Sequence, residues 1–286
     1  MPRLNITNDD EFEHIWDLYF MQNEPLASSH LYIPGVGNHE KFYDYTSYKA
    51  RFWNNQERFY YSFNYGNTHW ISLSSEIDYY VGSDQYNFFE DDLKSVDRSQ
   101  TPWVIVTFHR PIYCTDAGQY DSHSPGGALQ TTLEPLMREY GVDVTFTGHM
   151  HCYERVHDVE NGDVKTFPIP LIDDTDTYLN PTGPIHVVVG SAGAMQFERW
   201  VHPQPVWSST RFANGMDATR GADHEHIVDI QNQIEQDPTL LDGVTYTDTF
   251  GFGIVNYMNS THLHFEWVPV TGELKDEFWI VKNTRD

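Results

Sequence analysis

The chain has 286 residues, enough for one large domain or two ordinary ones, and 15% of them are aromatic. Lys and Arg number 17 against 42 Asp and Glu, a formal charge of −25, which argues against duplex nucleic acid or an anionic membrane as a general partner. No apolar run reaches the ~18 residues that a membrane-spanning helix needs, and Met1-Pro2-Arg3-Leu4-Asn5 lacks the apolar stretch of a secretory leader.

Phe12, Ile15, Trp16, Tyr19 and Phe20 recur at helical spacing and predict a core-facing helix over 9–22, with Asn8 or Asp9 as its cap. Leu31-Tyr32-Ile33 reads as a short strand leading through Pro34-Gly35-Val36-Gly37 into Asn38-His39-Glu40. Residues 58–65 and 69–73 alternate like strands around Tyr65-Gly66-Asn67 and predict a hairpin. Ser83 caps an expected helix over 84–97. The unbroken apolar run Trp103–Phe108 suits a strand buried on both faces and ends at His109-Arg110-Pro111.

A Gly-, Ser- and Asp-rich loop covers 114–127. Leu129, Leu133, Leu136, Met137 and Tyr140 mark a second amphipathic helix that Gly141 ends. Residues 142–147 form the next expected strand, followed by Gly148-His149-Met150-His151. This helix–strand alternation predicts a layered α/β fold. Ile185–Val189 is a further buried strand before Gly190-Ser191-Ala192-Gly193. Residues 213–247 are polar and acidic and read as a peripheral insertion, with a weak helix around Ile227, Ile230 and Ile234. At the end, Leu263, Phe265 and Trp267 alternate with His262, His264 and Glu266, which places those two histidines on a solvated face, and Phe278–Val281 is a final strand.

Alone, the His149-x-His151 pair reads as a surface loop with two incidental histidines rather than as a metal site. Three loops change that: Asn38-His39, His109, and His149 with His151 each follow an expected strand, and strand carboxyl ends share one edge of an α/β sheet. Amide oxygen and imidazole are borderline ligands that suit zinc, iron or manganese. Two such ions about 3.5–4 Å apart clamp a phosphoryl group, and their charge would draw a phosphorylated small-molecule substrate to an acidic protein. Nucleic acid and membranes are not expected partners, and the oligomeric state is open.

Gly-Asn-His-Glu at 37–40, Val-x-x-His at 106–109 and Gly-His-x-His at 148–151 resemble three of the five signature blocks of the metallophosphoesterases, most closely the purple acid phosphatases. The stretch 60–67, Tyr153-Glu154-Arg155 and residues 261–265 add to the likeness. The resemblance implies an α/β layered metallophosphoesterase sandwich, two sheets flanked by helices, as a single catalytic domain over 1–286. It implies phosphomonoester hydrolysis at a dinuclear centre of Fe(III) with Zn, Mn or Fe(II).

By the same resemblance Asn38, His109 and His149 are ligands of the divalent ion and His151 of the ferric ion. His39 is the histidine that contacts the phosphate or protonates the leaving group, and Glu40 orients it. His123 is either a substrate contact or a plain loop histidine, and Arg110 either structural or phosphate-binding. The family's Asp-x-Gly and Gly-Asp-x-x-Tyr blocks find no match at Asn8-Asp9-Asp10, so the fold is expected to be incomplete at its N-terminus, lacking its first strands. A non-catalytic relative that keeps the fold, or a related phosphodiesterase or nucleotidase, is the alternative. The resemblance also implies a secreted, vacuolar or lysosomal location, to which the sequons Asn5-Ile6-Thr7 and Asn259-Ser260-Thr261 add weak support. Cys114 and Cys152 allow one disulfide or two thiols.

Overall fold

Trp103–Phe108 folds as a strand with nearly every side chain buried, and the sheet is laid down on either side of it. The computed structural model describes residues 9–52, 58–193, 200–213 and 250–283. In chain order its elements are α1 (Asp9–Ala27), α2 (Thr46–Arg51), β1 (Tyr61–Tyr65), β2 (Thr68–Ser72), α3 (Asp84–Ser95), β3 (Trp103–Phe108), α4 (Ala128–Glu139), β4 (Val144–Thr147), β5 (Cys152–Val156), β6 (Asp158–Glu160), β7 (Asp163–Thr166), β8 (Ile169–Ile172), β9 (Thr175–Leu179), β10 (Ile185–Val189), β11 (Ser208–Ala213), β12 (Gly251–Tyr257), β13 (His262–Pro269) and β14 (Asp276–Val281).

Seven strands form one sheet in the order β1-β2-β3-β4-β10-β5-β11, and five form a second in the order β12-β13-β14-β9-β8. In the first, β2, β3, β4 and β10 are parallel neighbours, so their carboxyl ends share one rim. The two sheets close on a core of Trp103, Ile105, Val144, Tyr153, Val187, Phe265, Trp267 and Phe278. The other face of the larger sheet is covered by α3 and α4 through Phe89, Leu93, Leu129, Leu133, Leu136 and Met137. This is the layered α/β sandwich that the sequence predicts.

Local chemistry explains the boundaries. The Ser83 hydroxyl accepts a hydrogen bond from the Tyr86 amide and starts α3. Gly141, with φ +65°, ends the α4 segment in a conformation that glycine takes at no steric cost. The hairpin of β1 and β2 pairs as expected, Tyr61 opposite Ser72.

Three expectations are corrected. Residues 31–33 are extended but pair with no strand among the described residues, and Leu31 and Ile33 are exposed. A strand exists only through hydrogen bonds to a neighbour, and here the backbone is held by the Tyr48 and Tyr61 hydroxyls on the Pro34 carbonyl instead. The first helix runs five residues beyond 22, with Pro25 in its last turns, and only part of its apolar stripe is covered: Trp16, Tyr19 and Phe20 lie on a side cluster of Val36, Tyr45, Tyr48, Phe52 and Phe59, while Ile15 stays exposed. His264 is not on an open face; it is stacked on Trp279 at 4.3 Å and bonded to Glu277 at 3.1 Å. The insertion expected over 213–247, with its weak helix, and the sequon at Asn5 lie outside the described residues, Ala213 apart. Among the described residues, no helix is long and apolar enough to cross a membrane.

Candidate metal centre

The rim of the larger sheet gathers residues from four parts of the chain. β2 leads into Ser74-Ser75-Glu76, β3 into His109-Arg110, and β4 into Gly148–His151. Asn38 arrives differently, on a single 3-10 turn over Asn38–Lys41, not at the end of a strand. Glu40 fastens that turn: its Oε2 accepts the Gly37 amide at 2.7 Å. Its carboxylate therefore orients the backbone that carries Asn38. His39 projects from the same turn and is exposed.

The turn after β4 is built for close approach. The Gly148 amide donates to the His109 carbonyl at 2.9 Å, which ties the β3 and β4 loops together. His149 has φ +64°, a left-handed conformation uncommon outside glycine and characteristic of functional sites. Gly190 packs so closely that a Cβ would lie 1.8 Å from the Met150 carbonyl oxygen. At Gly37 a Cβ would meet the His109 ring at 2.8 Å, so glycine there is what allows the 3-10 turn to sit on the imidazole.

Three donor atoms converge. His109 Nε2 is 2.7 Å from Asn38 Oδ1, His149 Nδ1 is 3.2 Å from Asn38 Oδ1, and His149 Nδ1 is 3.2 Å from His109 Nε2. Arg110 is gripped by Glu76, Nε to Oε1 at 2.8 Å and Nη2 to Oε2 at 3.3 Å, and its Nη1 lies 3.0 Å from His149 Nε2. Gln119 Oε1 lies 3.0 Å from the same nitrogen. His123 is buried; its Nδ1–H donates to the Pro111 carbonyl at 2.7 Å, and its ring stands 5.9 Å from that of His149.

Burial holds both convergent imidazoles neutral. His109 is pushed down to about 4, by desolvation first, with Glu76 opposing and Arg110, His39 and His151 adding to the shift. His149 is pushed down to about 3, again by desolvation first, then by the positive charges of Arg110, His109, His123 and His151. Neutral imidazole is the ligand form. His151 is thus close enough to bear electrostatically on both rings.

Among the described residues, no group of three or more His, Cys, Asp or Glu is arranged to hold a metal. The convergent set is instead two imidazoles and an amide oxygen. Three neutral borderline donors within 3.2 Å of one another fit one divalent ion with open positions. For a second ion His151 is the candidate donor on the same turn.

A calcineurin-like phosphoesterase model matches residues 6–153, more than half of the chain. The chain belongs to the calcineurin-like phosphoesterase family. It is 35% identical to purple acid phosphatase 18 of Arabidopsis thaliana over 72% of this chain and 46% of that protein. It is 28% identical to acid phosphatase type 7 of Homo sapiens over 96% of this chain and 58% of that one. In three dimensions it superposes on purple acid phosphatase PPD1 from yellow lupin seeds with a TM-score of 0.74 at 26% identity, covering 94% of this chain and 44% of that one. The chain spans about half the length of the curated relatives it matches.

Sequence reasoning did not find Glu76 or Gln119. Glu76 ends the run Leu73-Ser74-Ser75-Glu76 just past β2. The hairpin was legible, but the parallel pairing of β2 with β3, which brings that run to the rim, was not. Gln119 carries no signal in the sequence beyond being a polar loop residue. Cys114 and Cys152 are both buried beside Met150 and Val188 behind the rim, thiol against thiol, and are not bridged to one another.

Proposed function

We propose that this chain is a metal-dependent acid phosphatase that hydrolyses small phosphomonoesters at the rim where β2, β3 and β4 end. The observation that carries this is the convergence of Asn38 Oδ1, His109 Nε2 and His149 Nδ1 within 3.2 Å from three distant parts of the chain. Family membership and the named relatives support it.

A dinuclear centre would be held by Asn38, His109 and His149 on the divalent ion (Zn, Mn or Fe(II)) and by His151 on Fe(III). Such a pair, when bound, clamps phosphoryl oxygens and polarises the attacking water. The chain's own residues do the rest. Burial keeps His109 and His149 unprotonated well below neutrality, so their lone pairs stay available in acid. The Arg110 guanidinium, aimed by Glu76, offsets the negative charge of a phosphate entering a chain of net charge −25. His39, exposed one residue from Asn38, is placed to give a proton to the leaving oxygen as general acid. His123 stands behind His149 with its Nε2 turned away from Pro111. A secreted or vacuolar location belongs to the same reading; the sequon at Asn259 supports it, in an exposed turn where its Oδ1 accepts the Thr261 amide at 2.8 Å.

The test is release of p-nitrophenol from p-nitrophenyl phosphate at acid pH, with and without chelator. Activity that chelator removes, that Zn or Mn with ferric ion restores, and that His149→Ala abolishes is the expected result. Tight metal binding with no hydrolysis would favour the second reading, a phosphoesterase-like binding protein. The specific observation behind that reading is that the donors converging among the described residues, Asn38, His109 and His149, include no carboxylate.

A further inference from the structure

The contacts around His149 cannot all be hydrogen bonds at once. A neutral imidazole has one N–H and one lone pair. Nε2 lies 3.0 Å from Arg110 Nη1, which can only donate, and 3.0 Å from Gln119 Oε1, which can only accept. Nδ1 lies 3.2 Å from both Asn38 Oδ1 and His109 Nε2. Two arrangements satisfy these constraints. In one, Arg110 donates to the Nε2 lone pair, and Nδ1–H donates to Asn38. In the other, Nε2–H donates to Gln119, and the Nδ1 lone pair faces Asn38 Oδ1 and His109 Nε2. Only the second leaves Nδ1 able to bind a cation.

We infer that Gln119 is the positioning residue that selects this second tautomer, and that Arg110 is its rival for Nε2, displaced when the rim takes up metal. The inference rests on the metal-centre reading above. Passing from the first arrangement to the second, one proton leaves Nδ1 and one is taken up at Nε2 from water, with no net change at the ring. Arg110 gives up little: Glu76 still holds its Nε and Nη2, and Nη1 becomes available for an anionic oxygen of the substrate. A cation at Nδ1 also drives the guanidinium off the same ring by like-charge repulsion. Gln119 is anchored for this duty: its amide donates to Asp116 Oδ1 at 3.1 Å and opens the short 3-10 turn Tyr120–Ser122, while its side chain reaches out of an exposed loop position to the histidine.

Ligand histidines hold their second nitrogen on an acceptor, and removing that acceptor weakens metal binding about 10–100-fold. Zn2+ affinity measured by chelator competition should therefore fall by that factor in Gln119→Leu and return in Gln119→Glu, whose carboxylate can only accept. Arg110→Leu, which removes the rival, should bind at least as tightly as the wild type. The 15N shifts of the His149 ring in the metal-free protein should move towards the Nδ1–H form in Gln119→Leu alone, and its thermal unfolding should stay that of the wild type. Undiminished zinc affinity in Gln119→Leu, or no recovery in Gln119→Glu, would overturn the inference. His109→Ala separates the two ideas: if it loses zinc while Gln119→Leu keeps it, only the role of Gln119 falls; if it keeps zinc, the centre itself is misplaced.

Discussion

The two ends of β4 hold polar clusters of opposite character. At the amino end, Asp143 Oδ2 accepts Arg98 Nη1 at 3.0 Å and the Val104 amide at 2.8 Å, and Oδ1 accepts Lys282 Nζ at 2.7 Å. Lys282 also caps the Trp103 ring at 3.7 Å. Both carboxylate oxygens are taken, and further N–H groups of the two cations go to backbone carbonyls, Arg98 to Pro102, Tyr140 and Gly141, and Lys282 to Pro102. At the carboxyl end, Asn38, His109, Arg110, Gln119 and His149 crowd together with partners that exclude one another. Both clusters join residues far apart in sequence. The first is closed and leaves nothing for a ligand to bind; the second is complete only when something else is added. Burial alone does not separate them, but the count of donors against acceptors does.

The largest effect should come from opening the closed end. Asp143→Ala strips the carboxylate from Arg98 and Lys282, whose side chains are only 19% and 10% exposed. Removing one partner from a buried ionic cluster costs about 3–5 kcal/mol, to be read from urea unfolding, while zinc binding by the folded protein should stay put. A loss below about 1 kcal/mol would show that solvent answers these charges as it does at a surface pair, and the contrast between the two ends would collapse.

The reverse pattern is expected at the open end. His109→Ala should cost metal affinity more than the about 10–100-fold that an outer partner is worth, measured by chelator competition. Its metal-free form should lose less stability than Asp143→Ala. If His109→Ala unfolded as readily as Asp143→Ala, the rim would be a structural polar cluster like its counterpart.

The open end was the legible one in the sequence. Histidines and an Asn at the ends of apolar runs announce themselves by residue type and by the glycines beside them. Asp143 looks like any acidic residue before a strand, and its partners lie 45 residues before it and 139 after it. The fold shows the same division. Strands buried on both faces, such as β3 and β10, stood out as apolar runs, and α3 and α4 as periodic stripes. The stretch holding β6 to β9 was missed because its strands are only three to five residues long and share no one pattern: β7 is polar and half-exposed, whereas β8 is apolar yet mostly exposed. Its turns were still marked: Asn161-Gly162, with φ +50° and +83°, is a strong hairpin signal. Conversely, 31–33 had strand composition but pair with no strand among the described residues.

The smallest effect, and the one that bears on working in acid, is the pH dependence of the metal-free protein. In the native state His109 and His149 resist protonation until about 4 and about 3, chiefly through burial, whereas the unfolded chain takes up those protons near 6.5. Between these values the unfolded state binds more protons, so stability rises with pH. The contribution is whole above about pH 6.5 and drains away as pH falls through 6.5 towards 4. Buried His157 and His186, held at about 4 and about 3, act with the same sign, so the rim's share must be read as a difference. The double variant His109→Asn, His149→Asn should lose less stability than the wild type when urea unfolding is compared at pH 7 and pH 4.5. The difference should be modest, because both rings are partly exposed and water screens them. Identical acid losses would mean that the rim histidines take up protons as freely as in the unfolded chain. Zinc would then be displaced near pH 6.5, and a rim that must hold metal in acid would have no means of doing so.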